Sequence, residues 1–176
     1  MMKFFSTLFI YFLIACSIHA QRVPLTPEKV KNWIENRIKS HDLQMEYEAN
    51  EDKYDEVIKS YFEARNEMLA SNGWESSDFD ATGEWIYGVV NSIEAQEELD
   101  EEKAMQKEQF AEFDALEQVN DEQKEQMKTA LQSSVVQRQE FIDVFKPDWA
   151  AIKPYLNALE QLDDYIAGSR TTPPSL

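Results

Sequence analysis

Beyond residue 25, apolar side chains recur every three or four positions, which is the spacing of one face of an α-helix. The first series follows Thr26-Pro27-Glu28, where Thr suits the N-cap and Pro suits the first helical position. Its inward positions are Val30, Trp33, Ile34, Ile38 and His41. No segment alternates apolar and polar residues with β-branched enrichment, so the pattern predicts an all-α fold.

A second helix is predicted from about Gln44 to Ser71, because three tyrosines and a methionine recur there at intervals of seven. The row consists of Tyr47, Tyr54, Tyr61 and Met68. Sevenfold spacing favours a seam packed against a neighbouring helix, and the alternative is a stacking surface for a ligand. Asn72-Gly73 then predicts the end of this helix.

A third helix is predicted to begin at Ser76 or Ser77, with either serine as its cap. Its inward face comprises Phe79, Ile86, Val89, Val90 and Ile93. Gly83 and Gly88 lie inside this helix, where each costs about 1 kcal/mol relative to Ala. They therefore predict a close neighbour, and Trp85 and Trp74 are the candidates.

The apolar stripe nearly vanishes between residues 94 and 109, although helix-forming residues continue. Either the third helix projects as a protruding acidic arm, or it breaks near Asp100. Five acids of this segment could lie on one helix face: Glu94, Glu97, Glu98, Glu101 and Glu102. They could hold Ca²⁺ or Mg²⁺ loosely, but their spacing lacks the glycine turn of a calcium loop, and a solvated face is the favoured interpretation.

Asn120 to Gln123 has the signature of a capping box and predicts the start of a fourth helix. Beyond it, Pro154 predicts a last helix that is kinked or restarted, and Gly168 closes this helix. The pattern therefore predicts an up-and-down bundle of four to five helices over residues 21–168. Residues 169–176 are predicted to form a disordered tail.

Residues 1–20 have the layout of a cleaved export signal, with Lys3 before a short apolar run. That run is shorter than the roughly 20 residues that span a bilayer. Cleavage after Ala20 would make Gln21 the first residue of a periplasmic or secreted protein. Leu13-Ile14-Ala15-Cys16 also resembles a bacterial lipobox, and lipidation of Cys16 would anchor the protein to the envelope.

The chain is strongly acidic, with a net charge of −17. Such a charge repels phosphate backbones and anionic lipid headgroups, which argues against nucleic acid as a partner. A membrane is expected as a partner only if Cys16 is lipidated. Because Cys16 is the only cysteine, no intramolecular disulfide can form, and the fold must rest on burial.

The sequence offers little material for catalysis, and we expect no catalytic, cofactor-binding or metal-binding residues. His41 is the only histidine beyond the signal, and the Glu-x-x-His pairs of di-iron bundles are absent. We expect it to be a half-buried packing residue or a cation at a helix C-terminus. Glu75-Ser76 is similar to the Glu-Ser pair of peptidoglycan-cleaving enzymes, which implies a carboxylate-dependent hydrolase as an alternative.

Leu25-Thr26-Pro27-Glu28-Lys29 resembles the Leu-Thr-x-x-Gln motif of periplasmic stress chaperones of the Spy type, with Lys29 in place of Gln. This resemblance implies a chaperone-like stress protein as a further alternative. The function that we expect is that of an exported, non-catalytic helical protein that binds a protein, a peptide or an envelope component.

Overall fold

The computed structural model describes residues 24–176, which contain helices and no strand. Four long helices are present: α1 (Pro27–Ala49), α2 (Val57–Ser71), α3 (Ser76–Ala115) and α4 (Asp121–Phe145). Two shorter helices follow, α5 (Trp149–Ile152) and α6 (Leu156–Ile166). The all-α prediction is confirmed. The predicted export signal, with Cys16, Ala20 and Gln21, lies outside the described residues.

Helix α1 begins as predicted. The side chain of Thr26 accepts a hydrogen bond from the Lys29 amide at 3.2 Å, and Pro27 occupies the first turn. The predicted boundary before Gln44 is wrong, because the helix continues to Ala49. Nothing in this stretch breaks a helix, and Gln44 donates a hydrogen bond to Glu48 one turn later at 2.8 Å.

The predicted single helix from Gln44 to Ser71 is also wrong. Tyr47 lies in the last turn of α1, Tyr54 in the connection that follows, and Tyr61 on α2. A short 3₁₀ turn, Glu51–Lys53, separates the two helices. The sevenfold spacing of the tyrosines therefore does not describe one helical stripe.

Helix α2 ends in a Schellman motif, as Asn72-Gly73 predicted. Gly73 has a φ of 82°, the Trp74 amide donates to the Leu69 carbonyl at 2.9 Å, and the Gly73 amide donates to Ala70 at 3.1 Å. Helix α3 then starts at Ser76, so neither predicted serine precedes the helix as its cap. The Ser76 hydroxyl instead accepts a hydrogen bond from Arg65 Nη1 at 2.8 Å.

The described chain divides into two compact units. Unit A comprises residues 25–88 and 150–176, and unit B comprises residue 24 and residues 89–149. Within unit A, α1 packs against α2, α6 and the 3₁₀ turn Lys153–Tyr155. Its core includes Val30, Trp33, Ile34, Leu69, Phe79, Ile86, Leu159 and Leu162.

Unit B contains an antiparallel helical hairpin made from the second part of α3 and from α4. The predicted capping box at the start of α4 is confirmed, with the Gln123 amide 2.9 Å from Asn120 Oδ1. Lys128 Nζ contacts Asp114 Oδ1 at 2.8 Å near the hairpin turn. Further along, Arg138 Nη1 lies 3.3 Å from Glu102 Oε2.

The predicted alternative of a break near Asp100 is wrong, because α3 is continuous through the acidic segment. Leu99 is fully buried within this segment. Glu94, Glu97 and Glu101 are exposed. A projection of residues 94–109 as a separate arm stays a prediction, and so does the up-and-down order of the helices over 21–168.

The last helix restarts at Pro154, as predicted. The 3₁₀ turn Lys153–Tyr155, which contains Pro154, precedes α6. Gly168, with a φ of 74°, follows the end of α6, and the Ser169 amide donates to the Asp164 carbonyl at 2.9 Å. Residues 169–176 contain no helix, and disorder of this tail stays a prediction. No helix among residues 24–176 is long and apolar enough to cross a membrane.

Candidate functional site

The packing of Trp33 against the first turns of α3 organises unit A. Trp33 is buried, and its Nε1 donates to the Phe79 carbonyl oxygen at 3.0 Å. Its ring stacks on Phe79 at 5.6 Å between centroids and meets Tyr87 edge-on at 6.0 Å. An ideal Cβ added at Gly83 would lie 2.6 Å from Trp33 Cζ2. At Gly83 the close neighbour is therefore Trp33, and the prediction of Trp85 or Trp74 at this position is wrong.

A second tryptophan attaches the α2–α3 connection to α1. Trp74 Nε1 donates to Asn32 Oδ1 at 2.5 Å, and Lys29 Nζ lies 5.5 Å from the centroid of the Trp74 ring. The Trp74 ring also meets Phe79 edge-on at 5.4 Å. Phe79 thus lies between two tryptophans, which fixes where α3 begins relative to α1.

Arg65 joins α2 to α3. Its side chain is 9% exposed, with Nη1 2.8 Å from Ser76 Oγ and Nη2 2.5 Å from Asp80 Oδ1. The guanidinium also lies 5.5 Å from the centroid of the Phe79 ring. Because a buried guanidinium must be paired to avoid a large desolvation penalty, this arrangement neutralises a charge that the helix packing encloses.

These contacts leave an open groove between α1, α2 and the first turns of α3, which we call the aromatic groove. It has a volume of about 760 Å³. It is lined by Trp33, Arg37, Gln44, Tyr47, Glu48, Val57, Ile58, Tyr61, Phe62, Arg65, Phe79, Asp80, Gly83, Glu84 and Tyr87. Its floor, with Trp33, Phe79 and Gly83, is buried, whereas Ile58 and Phe62 are 70% and 51% exposed.

The tyrosine row predicted from the sequence reaches this groove from two helices. Tyr47 stacks on Tyr54 at 4.5 Å and meets Tyr61 at 6.3 Å, so the cluster joins α1 to α2. Tyr61 in turn contacts the exposed Phe62 ring at 5.1 Å. The tyrosines are half-buried. Tyr47 and Tyr61 thus take part both in helix packing and in the lining of an open surface, which the sequence presented as alternatives.

The electrostatics differ between the floor and the rim of the groove. At the floor, burial raises the pKa of Tyr87, and a hydrogen bond to Asp163 raises it further, while the charge of Arg37 acts in the opposite direction. At the aromatic end, partial burial raises the pKa of Tyr47, and the adjacent Tyr54 adds to this effect. Glu48 and Glu84 are exposed at the rim.

The acids of the hydrolase alternative lie in the turn before α3 and in its first turns. Glu75 is exposed in the turn before α3, and Asp78 is exposed in the first turn of the helix. Asp80, the third acid of this stretch, is held by Arg65. Ser76 also contacts Arg65, so its hydroxyl supports the packing of α2 against α3.

His41 is half-buried in the middle of α1, with its ring 5.1 Å from that of Tyr165. Its interpretation as a packing residue is confirmed, and the interpretation as a helix C-terminal cation is wrong. Within residues 24–176, no group of three or more His, Cys, Asp or Glu side chains is arranged to hold a metal ion. Two of the five acids of the loose cation site, Glu98 and Glu102, contact Arg138.

Leu25 and Thr26, from the chaperone-like motif, have a local structural role, since Leu25 is buried and Thr26 caps α1. No family model matches the chain, and no curated protein or solved structure has a recognisable similarity to it. The aromatic groove was not predicted from the sequence, because its lining comes from three helices. The signal available in the sequence was the combination of a mid-helix glycine with aromatic residues on the preceding helices.

Proposed function

We propose that this protein is an exported, non-catalytic helical protein that binds a protein or peptide partner in the aromatic groove. The observation that carries the proposal is the exposed apolar wall beside a preformed aromatic floor. Ile58 and Phe62 are 70% and 51% exposed on a chain with a net charge of −17. A contiguous apolar surface rimmed by polar groups is a common feature of interaction sites.

The groove offers a partner a preformed surface, because its floor is held in place by contacts within unit A. Trp33 and Phe79 are fixed by the hydrogen bond and ring stacking described above, so binding does not have to order them. Preorganisation of this kind reduces the entropy cost of association. Apolar side chains of a partner would displace water from Ile58, Phe62 and the tyrosine rings, which provides the driving force.

A peptide titration tests this proposal. The probes are synthetic amphipathic peptides of equal length, with Leu and Phe at helical spacing and with Lys, Gln or Glu at the polar positions. We expect at least one of them to bind the full chain. The double variant Ile58→Ala/Phe62→Ala should weaken that binding by about tenfold or more, as expected when central apolar contacts are truncated.

Met45→Ala is the matched control, because Met45 is 49% exposed on α1 and does not line the groove. It should leave peptide affinity unchanged. The proposal fails if no peptide binds, or if the groove variant and the control behave alike. Circular dichroism of each variant checks that the helices are retained.

The export part of the proposal rests on the first twenty residues. We infer that cleavage follows Ala20 and that lipidation of Cys16 is the alternative. Mass spectrometry of the processed chain from an exporting bacterial host distinguishes them, since the first outcome gives Gln21 as the N-terminus and the second gives an acylated Cys16. An intact N-terminus in the cytoplasmic fraction would contradict both.

A further inference from the structure

We propose that the segment bound by the aromatic groove is a cationic amphipathic peptide, with apolar residues that contact the floor and Lys or Arg that face the rim. This inference rests on the proposed function and specifies the chemistry of the partner. It follows from the way in which the charges that line the groove are distributed between its interior and its rim.

The positive charge of Arg65 is already neutralised by a contact within the protein. Its two terminal nitrogens contact Ser76 and Asp80, and its side chain is 9% exposed. A ligand carboxylate would have to displace Asp80 and open a buried contact in order to reach it. Arg65 therefore does not offer a site for an acidic partner, although it lines the groove.

The exposed charges of the lining are negative. Glu48 on α1 and Glu84 on α3 are exposed, and Asp80 keeps 58% of its side chain exposed despite its contact with Arg65. These carboxylates stand on two of the three helices that surround the apolar surface. Arg37, the other cation of the lining, is half-buried and acts on Tyr87 at the floor. The rim thus favours positive charge on a ligand.

The acidic environment extends to the tyrosine end of the groove. The charges of Glu46 and Glu67 contribute to the raised pKa of Tyr47, after burial and the adjacent Tyr54. Glu46 and Glu67 are themselves exposed. A cationic side chain at this end would meet carboxylates and the faces of aromatic rings, and both attract cations.

Other occupants fit these features less well. A second copy of this chain would bring its own net charge of −17 to an acidic surface, and like charges oppose such an association. An acidic peptide would meet the same repulsion. A neutral amphipathic peptide could make the apolar contacts but would gain nothing from the rim.

The Lys, Gln and Glu peptides test the charge preference when they are titrated against the full chain by fluorescence anisotropy. We expect the Lys peptide to bind about tenfold tighter than the Gln peptide, and the Glu peptide to bind weakest. Raising the salt from about 20 mM to about 500 mM should lower the affinity of the Lys peptide to nearly that of the Gln peptide, because salt screens exposed charges.

Variants assign this preference to the groove. The double variant Glu48→Gln/Glu84→Gln should lower the affinity for the Lys peptide several-fold and leave the affinity for the Gln peptide unchanged. The control Glu28→Gln/Glu160→Gln makes the same change of net charge at exposed residues outside the lining, and it should have little effect. Equal effects of the two double variants would overturn the inference, since the attraction would then come from overall charge.

The titration also separates the two proposals. If all three peptides bind equally and all lose affinity in Ile58→Ala/Phe62→Ala, the groove binds peptides but the charge preference is wrong. The same conclusion holds if the Glu peptide binds tightest. If none of the peptides binds, both proposals are overturned.

Discussion

The indole of Trp33 lies against the backbone of α3 at Gly83, so closely that an ideal Cβ at Gly83 would lie 2.6 Å from Trp33 Cζ2. A side chain at this position would push the ring away from Phe79, whose carbonyl accepts the indole hydrogen bond. The close approach of α1 and α3 therefore depends on the absence of a side chain at residue 83.

Gly83→Ala should destabilise the protein, although Ala is the better helix former. Overpacking of a buried contact typically costs 1–3 kcal/mol, whereas the gain in helix propensity is about 1 kcal/mol. We expect a net loss of up to about 2 kcal/mol in the free energy of unfolding, measured by urea denaturation. Ala81→Gly, at an exposed position of the same helix, measures the propensity term alone. A more stable Gly83→Ala protein would contradict the packing described here.

Arg65→Lys should lower the stability, because an ammonium cannot reproduce two hydrogen bonds directed from one planar group. The contacts to Ser76 and Asp80 stand at 2.8 and 2.5 Å. We expect a loss of about 1–3 kcal/mol, and a comparable loss for Asp80→Asn because the buried guanidinium of Arg65 then lacks its counter-charge. A double-mutant cycle with these two substitutions should give a coupling energy above zero. Strict additivity would mean that the pair does not interact.

Tyr87→Phe should reduce the stability at neutral pH and also weaken its dependence on alkaline pH. The pKa of Tyr87 is raised above its ordinary value of 10.0 by burial and by its hydrogen bond to Asp163. The protonated phenol is thus favoured in the folded state, and its stabilisation is complete below pH 10.0. It is lost as the pH rises from there towards the folded-state pKa, because the unfolded chain then releases this proton first.

Urea denaturation of the wild type and of Tyr87→Phe, below and above pH 10.0, measures how the difference in stability depends on pH. The loss near neutral pH should be about 1 kcal/mol, since the hydrogen bond from Tyr87 to Asp163 is removed. The difference between the two proteins should shrink at higher pH. A difference that stays constant across this range would show that Tyr87 does not titrate with unfolding.

Arg138→Gln should destabilise unit B in a manner that depends on salt. Arg138 Nη1 lies 3.4 Å from Glu98 and 3.3 Å from Glu102, so its removal leaves an acidic helix face without this cation. Because the arginine is partly exposed, we expect a loss of about 0.5–1 kcal/mol at low salt and less at high salt. Lys107→Gln is the control, since it makes the same charge change at an exposed residue of α3. Equal losses in the two variants would contradict a specific role for Arg138.

The features that the sequence predicted correctly are those decided within a few residues. Thr26-Pro27 starts α1, Asn120 caps α4, and Gly73 and Gly168 follow helix ends. Each of these depends on a backbone conformation or a local hydrogen bond that the residue type itself favours. Local rules therefore sufficed for these four helix ends.

The sequence pattern does not indicate the boundary between α1 and α2, because the sevenfold spacing continues through the connection. Tyr47, Tyr54 and Tyr61 come together across two helices, and sevenfold spacing does not distinguish such a cluster from one stripe. The aromatic groove was missed for a related reason. The contact between Trp33 and Gly83 joins residues that are distant in sequence, and no local pattern indicates which tryptophan a glycine admits.

Trp33 serves both as a core residue of unit A and as part of the groove floor, and this dual use constrains how the protein can evolve. A substitution there that altered ligand preference would also damage the fold. Ile58 and Phe62 are under no comparable structural constraint, because they are largely exposed. New ligand specificities should therefore arise by substitution at exposed lining residues such as Ile58 and Phe62, while selection for a stable fold keeps Trp33 unchanged.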